Sequence, residues 1–320
     1  MPDTHVRNPR VEACALLSPS QVGVVLEPSP PAVAVGPWFA DDPVARPDTD
    51  RAVVSPVGTG DLSWEDVIGQ DAGLAAFARD HWLANRKALA DAPASLADTR
   101  TSLIALAFNV LAPARQEANG KIGLRWTKGG FGTPFFGDDR QVRVEGDRLV
   151  VQAGSTARAA PITTLRAAGD VVGLAPGASA GIEFHDPPDP VDLDELLRVD
   201  PAAVGFLDDW FGYGTLVLER LRVASGPPAD TRVQLWAEHF DLAIELGDAS
   251  AGRRATFGVS PGDPGIPAPY LYVAPWTPQV GELWTAPFGG AALELGELRA
   301  ASDPVEAALA FFEEAGGALR

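Results

Sequence analysis

The chain has 320 residues but a single cysteine, Cys14, so it can form no internal disulfide and has no cysteine cluster for zinc. It has only three lysines, Lys87, Lys121 and Lys128, and its net charge is −18. Because nucleic acids and anionic membranes attract clustered positive charge, this balance predicts neither as a partner. The sequence also has no bilayer-length apolar run and no signal peptide at its amino terminus, which predicts a cytoplasmic location.

The distribution of prolines and of hydrophobic periodicity predicts an α+β fold. Residues 1–60 are rich in proline and predict an irregular arm. Residues 61–190 and 191–320 each contain the pattern of a long helix, a run of antiparallel strands and a further helix. The acidic, proline-rich stretch 186–194 predicts the boundary between two similar halves, which form either two domains or one duplicated domain.

Several elements have clear start or turn signals. Gly146 and Asp147 predict the turn of a β-hairpin. Asp200 and Pro201 predict the N-cap and first residue of a long helix that ends near residue 223. Alternating and β-branched stretches predict strands at 182–185, 233–246, 254–259, 270–274, 282–286 and 292–295, before a last helix that begins at Pro304.

A set of short segments occurs in an order that is typical of one family. The segments are Gly120-Lys121-Ile122-Gly123-Leu124, Asp200-Pro201, Trp236 with Phe240-Asp241-Leu242-Ala243, Ser260-Pro261-Gly262, Pro269-Tyr270-Leu271-Tyr272 and Asp303-Pro304. Because these segments occur in the same order, residues 95–320 resemble a bacterial family known only as a domain of unknown function. The resemblance supports the grouping by fold and implies no activity, cofactor or site residue.

The segment Gly258-Val259-Ser260-Pro261-Gly262 matches the Gly-x-Ser-x-Gly pattern of serine hydrolases. In those enzymes the residue after the serine donates its backbone N–H to the oxyanion, but Pro261 has no N–H. The prolines that follow also forbid the helix that should begin at the serine. We therefore predict that Ser260 begins a turn.

The glycine-rich segment Lys128-Gly129-Gly130-Phe131-Gly132 lacks the Gly-Lys-Ser/Thr ending of a phosphate-binding loop. A hairpin loop is the favoured interpretation. The alternative is an anion-binding nest in which Arg125 and Lys128 contact a ligand.

The segment Gln234–Asp241 carries the most chemistry. If its alternation is unbroken, Trp236 and Glu238 share one strand face, and His239 and Asp241 share the other. Glu238 is then a carboxylate among aromatic rings, where desolvation would raise its pKa toward that of a general acid. A β-bulge at Glu238 or His239 is the alternative, and it would place Glu238 near solvent.

On an unbroken strand, the Cα atoms of His239 and Asp241 lie about 7 Å apart, so both side chains could reach one ion or one water. Two ligands do not make a metal site, and the chain has only four histidines. The interpretation that we favour is a hydrogen-bonded His–Asp pair, so the sequence predicts no metal and no cofactor.

Two of the three tyrosines, Tyr270 and Tyr272, fall on one face of a predicted strand that precedes Trp276. We predict a small-molecule pocket lined by these three residues and Trp236, with Glu238, His239 and Asp241 as acid–base groups and Arg125 and Lys128 as further ligand-binding residues. Whether the protein is an enzyme stays open. The alternative function is a non-catalytic interaction module that acts as a homo-oligomer.

Overall fold

The computed structural model describes residues 50–51, 89–127, 129–133, 135–136, 140–153, 156–225 and 233–319. The predicted N-terminal arm, apart from Asp50–Arg51, lies outside the described residues, and so does Lys128. The described chain is α+β, as predicted, with helices packed against two antiparallel sheets.

The helices are numbered here along the chain. They are α1 (Leu96–Leu106), which continues through a π-helical turn at Ala107–Leu111 into α2 (Ala112–Asn119), α3 (Leu165–Val172), a 3₁₀ turn at Ala178–Gly181, α4 (Pro201–Ala224), α5 (Leu295–Ala300) and α6 (Pro304–Ala318). The predicted caps are confirmed at the starts of two of them. Asp200 accepts a hydrogen bond from the backbone N–H of Ala202, and Asp303 accepts from Val305 and Glu306.

Among the described residues, the first sheet has seven strands and the second has five. The first contains β1 (Asp50–Arg51), β2 (Arg125–Thr127), β3 (Gly130–Gly132), β4 (Phe135–Phe136), β5 (Arg140–Glu145), β6 (Arg148–Ala153) and β7 (Thr156–Pro161). The second contains β8 (Gln234–Trp236), β9 (Asp241–Leu246), β10 (Ala255–Ser260), β11 (Tyr270–Pro275) and β12 (Ala291–Glu294), in the spatial order β12-β11-β10-β9-β8. The predicted hairpin is confirmed, because Glu145 pairs with Arg148 across Gly146 and Asp147.

The two sheets meet edge to edge. Leu124, which precedes β2, and Leu235 of β8 exchange two backbone hydrogen bonds of 2.8 Å. Hydrophobic side chains from both sides of residue 190 belong to one buried cluster. The division into two halves at that position stays a prediction.

Helix α4 packs against strands of both sheets, β2 and β3 in the first and β9 and β10 in the second. Gly214 of α4 faces Val259 of β10, and a Cβ added at Gly214 would lie 2.8 Å from a Val259 methyl carbon. The close approach of the Val259 side chain accounts for a glycine inside an unbroken helix. One face of the second sheet is thereby covered by helices, and the opposite face carries the candidate site.

Three predicted strands are wrong. Residues 182–185 and 282–286 are irregular. The predicted strand 233–246 is two strands, β8 and β9, joined by a turn at residues 237–240. Two arrangements were predicted for this segment, an unbroken strand and a strand with a β-bulge at Glu238 or His239. Neither is correct, because the chain reverses direction at residues 237–240.

Candidate functional site

The turn between β8 and β9 places the residues that the sequence singled out. Trp236 pairs with Asp241 across the hairpin, and the N–H of Phe240 donates to the carbonyl of Trp236 over 2.6 Å. Phe240 has a φ of 55°, a left-handed conformation that a bulky residue rarely adopts. Its buried ring is held edge-on by Phe131 and Phe211, with ring centroids 4.9 Å and 5.5 Å away. Tertiary packing thus stabilises a turn that has no local glycine or asparagine signal.

The strand register brings Asp241 and Tyr272 to the same face of the second sheet. Ala243, two residues after Asp241, pairs with Gly258, and Gly258 pairs with Tyr272. Directly opposed residues share a face, and so do residues two apart on one strand. A Cβ added at Gly258 would lie 2.2 Å from the Tyr272 ring, so the ring lies across this glycine. The Tyr272 hydroxyl thereby reaches Asp241 and donates a hydrogen bond to its Oδ2.

Asp241 is a buried carboxylate with one oxygen that is not hydrogen-bonded. The residue is 6 % exposed, and its Oδ1 has no hydrogen-bond partner in the described part of the chain. Burial raises the pKa of Asp241 above its ordinary value of 3.8, and the nearby Glu238 carboxylate raises it further. The Tyr272 hydrogen bond, His239 and the backbone N–H of Asp241 itself act in the opposite direction. Asp241 therefore favours its neutral form more than an aspartate in water does.

Glu238 and His239 lie in the turn itself. Glu238 is half-buried, and its Oε2 is also a buried oxygen without a hydrogen-bond partner among the described residues. His239 is exposed. The strand face that was predicted to join His239 to Asp241 does not form, because His239 lies in the turn and only Asp241 lies on the strand.

A second phenol–carboxylate pair lies beside the first. The Tyr270 hydroxyl donates to Oδ2 of Asp263, a half-buried residue of the loop between β10 and β11. Oδ1 of Asp263 accepts the backbone N–H groups of Gly265 (2.6 Å) and Ile266 (2.8 Å). Arg100 of α1 interacts electrostatically with Asp263 and donates to the carbonyl of Pro261 over 3.1 Å. Both oxygens of Asp263 are therefore hydrogen-bonded.

An aromatic side chain from the β11–β12 connection covers both tyrosines. The ring of Phe288 stacks on Tyr270 with centroids 6.2 Å apart and meets Tyr272 edge-on at 5.8 Å. Phe288 is 42 % exposed, and Tyr272 is partly exposed beneath it. The three rings are in mutual contact, since the Tyr270 and Tyr272 centroids are 6.0 Å apart.

The remaining predicted residues lie around this cluster. Trp236 is partly exposed on β8, beside Asp241. Trp276 is 55 % exposed and stacks on the Arg254 guanidinium, 4.7 Å from the ring centroid. Arg125 is buried in β2, and β8 lies between its strand and that of Asp241. The structure thus brings Trp236, Tyr270, Tyr272, Glu238, His239 and Asp241 into one region and leaves Arg125 outside it.

Ser260 was predicted to begin a turn, but it is the last residue of a strand, β10, and an irregular loop follows it. Its Oγ accepts the N–H of Gly262 over 3.1 Å, and no helix follows it. The oxyanion-hole geometry of a serine hydrolase is therefore absent at this residue.

Sequence reasoning missed the roles of Asp263, Phe288 and Arg100. Asp263 had one usable signal, since an aspartate two residues before a glycine in a proline-rich loop commonly accepts backbone N–H groups. Phe288 and Arg100 are distant in sequence from the tyrosines that they approach, and no local pattern connects them.

Two surface clefts are lined by described residues, and none of the predicted site residues lines either of them. One, of about 320 Å³, lies between the start of α1 and α5, and the other, of about 790 Å³, lies between the ends of α4 and α6. Within the described residues, no group of three or more His, Cys, Asp or Glu side chains is arranged to hold a metal ion. The helices of this part of the chain are all too short or too polar to cross a membrane.

Comparison of the chain with protein-family models, with characterised proteins and with solved structures yields no match. The resemblance to a family of unknown function stays a prediction, so the proposals below rest on the geometry alone.

Proposed function

We propose that the protein binds a small molecule at the cluster formed by Asp241, Tyr272, Glu238 and Tyr270. One observation carries the proposal, namely a nearly inaccessible carboxylate whose Oδ1 has no hydrogen-bond partner among the described residues. Buried polar atoms are nearly always hydrogen-bonded, and an unsatisfied one costs about 1–3 kcal/mol. A ligand that donates to this oxygen would recover that cost as binding free energy.

The same geometry supports Asp241 as the acid–base group of this site. Its carboxyl is desolvated, which raises its pKa above the ordinary value, and it accepts a hydrogen bond from a phenol that can take part in proton transfer. This proposal moves the role from Glu238 or His239 to Asp241, with Glu238 as the neighbour whose charge raises the pKa of Asp241. The reaction class is not specified by these residues.

A ligand screen with matched variants tests the proposal. Thermal unfolding of the wild-type protein and of Asp241→Asn is followed against a broad set of metabolites. Glu282→Gln serves as the control, because it removes one charge from an exposed residue of the β11–β12 connection. We expect ligands that raise the Tm of the wild type and of Glu282→Gln, and that have no effect on Asp241→Asn. A screen in which every stabilising compound also stabilises Asp241→Asn would exclude the site.

Self-association is a second candidate function, and one observation favours it. Three large apolar side chains of the described residues are exposed on a single connection, between β11 and β12: Trp276 (55 %), Val280 (96 %) and Phe288 (42 %). Exposed apolar patches are typical of interfaces. Native mass spectrometry of the wild type and of Val280→Asp tests self-association. We expect a wild-type dimer that the Val280→Asp substitution dissociates, and a monomeric wild type would contradict self-association.

The cytoplasmic location and the exclusion of nucleic acid as a partner remain predictions from the net charge and composition of the chain.

A further inference from the structure

We propose that the ligand of this site carries a primary ammonium group, which donates hydrogen bonds to Asp241 Oδ1 and to Glu238 Oε2, next to the rings of Tyr272 and Phe288. This inference rests on the proposed function and adds the chemical class of the ligand. It follows from three properties of the described residues: their charge, their open hydrogen-bond acceptors and their aromatic surface.

The charges around Asp241 favour a cation. The charge effects on this residue come first from His239, which lowers its pKa but is exposed to solvent, and then from Glu238, a second carboxylate that raises it. The neighbouring Asp263 differs, because the Arg100 guanidinium lies within electrostatic range of it. An ammonium ion beside Asp241 favours the ionised form of its carboxyl and offsets the repulsion from Glu238, so binding of the cation is coupled to release of the Asp241 proton.

The open acceptors favour a cation that has N–H donors. Asp241 Oδ1 and Glu238 Oε2 are both inaccessible to solvent and both lack a hydrogen-bond partner in the described chain. An ionised carboxylate only accepts hydrogen bonds, and a primary ammonium has three donors and no acceptor. Charge-assisted hydrogen bonds of this kind are about twice as strong as neutral ones. A quaternary ammonium would leave both oxygens unsatisfied.

The aromatic rings provide a surface for the ammonium and for the apolar body of the ligand. The Tyr272 hydroxyl contacts Asp241, and the Phe288 ring lies 5.8 Å from the Tyr272 ring. A cation over an aromatic face gains about 0.5–2 kcal/mol, the more so when it is desolvated. Because the Phe288 ring is 42 % exposed, an aromatic group on the ligand can stack against it.

The test uses four probes that share one phenyl group: 2-phenylethylamine, 2-phenylethanol, phenylacetate and the trimethylammonium analogue of the amine. Calorimetric titration measures their affinity for the full-length wild type, Asp241→Asn, Glu238→Gln and the control Glu282→Gln. We expect the amine to bind the wild type and the control at least about tenfold more tightly than the alcohol or the trimethylammonium analogue. Asp241→Asn should abolish that preference, and Glu238→Gln should reduce it.

The other outcomes separate the two proposals. If the alcohol or phenylacetate binds as tightly as the amine and still requires Asp241, the primary-ammonium inference is overturned and the proposed function stands. Equal affinity for the amine and its trimethylammonium analogue overturns the inference as well, because N–H donors are then not recognised. If the amine gives no Asp241-dependent binding at about 10 mM, the inference also fails, since 1 mM already corresponds to only about 4 kcal/mol. The metabolite screen with Asp241→Asn tests the proposed function separately.

Discussion

Tyr270 with Asp263 and Tyr272 with Asp241 are two phenol–carboxylate pairs on one strand face, and they differ in how completely the carboxylate is satisfied. Asp263 accepts two backbone N–H groups in addition to the Tyr270 hydroxyl, and Arg100 lies within electrostatic range. Asp241 has the Tyr272 hydroxyl, one oxygen without a partner among the described residues, and a second carboxylate nearby.

Asp263 is satisfied as a structural carboxylate is, and Asp241 has the open acceptor on which its proposed function rests. A satisfied carboxylate with a nearby counter-charge stabilises the loop that it belongs to. A buried carboxylate that lacks donors costs stability, and proteins tolerate such a cost mostly where a ligand or a proton uses the group. The two aspartates should therefore respond in opposite ways to substitution.

The largest expected effect is that of Asp263→Ala. The substitution removes the acceptor of the hydrogen bonds from Gly265, Ile266 and the Tyr270 hydroxyl. At about 1 kcal/mol for each, the free energy of unfolding should fall by about 3 kcal/mol. Urea unfolding at neutral pH measures the change.

Asp248→Ala is the matched control for that substitution. Asp248 also accepts hydrogen bonds in a turn, from the backbone N–H and the hydroxyl of Ser250 (2.8 and 2.7 Å) and from the N–H of Ala251 (3.4 Å). Its side chain is exposed, so water replaces these bonds when the side chain is removed. We expect a loss of about 1 kcal/mol. Equal losses in the two variants would show that the Tyr270 pair adds nothing to an ordinary turn.

A smaller effect is expected for Gly258→Ala, which acts on the other pair. The added methyl would lie 2.2 Å from the Tyr272 ring, so the ring must move and its hydroxyl must leave Asp241. Overpacking of this kind costs about 1–3 kcal/mol. Gly205→Ala is the control, because Gly205 lies on the exposed face of α4 and its added methyl meets nothing within 4 Å.

The control should gain stability, by roughly 0.5–1 kcal/mol, since alanine favours the helix. Thermal unfolding gives both values, and near-ultraviolet circular dichroism reports whether the tyrosine environment changes in Gly258→Ala alone. A Gly258→Ala protein as stable as the wild type would mean that the Tyr272 ring is not held in its position.

The fold class and several element starts could be predicted because they depend on local chemistry. Asp200 and Asp303 cap helices through their own side chains, and Gly146 adopts a φ of 57° in the predicted hairpin turn. Each of these signals acts within a few residues of the position that it specifies.

The turn at residues 237–240 could not be predicted, because its cause is not local. Phe240 adopts a left-handed conformation only because Phe131 and Phe211, from other elements, hold its ring. The sequence therefore identified Asp241 and both tyrosines as site residues, but it assigned the acid–base role to Glu238 or His239, whose positions depend on that turn.

Asp241→Asn is expected to have the smallest effect on the free energy of unfolding at neutral pH. The direction in which this effect changes with pH tests the contrast between the Asp241 and Asp263 pairs. The pKa of Asp241 is raised in the folded protein, mainly by burial and then by Glu238, while His239 and the Tyr272 hydroxyl lower it. Below its ordinary pKa of 3.8 the carboxyl is neutral in both states and costs nothing. As the pH rises above that value, the unfolded chain loses the proton first, so the wild-type free energy of unfolding falls until the folded pKa is passed.

Asparagine does not titrate, so the stability of Asp241→Asn relative to the wild type should increase with pH over this window. Urea unfolding at intervals between about pH 4 and pH 8 measures the difference between the two proteins, which share every other titratable group. A difference that shrinks as the pH rises would mean that the Asp241 carboxylate is stabilised by the fold, as that of Asp263 is, and the contrast between the two pairs would fail.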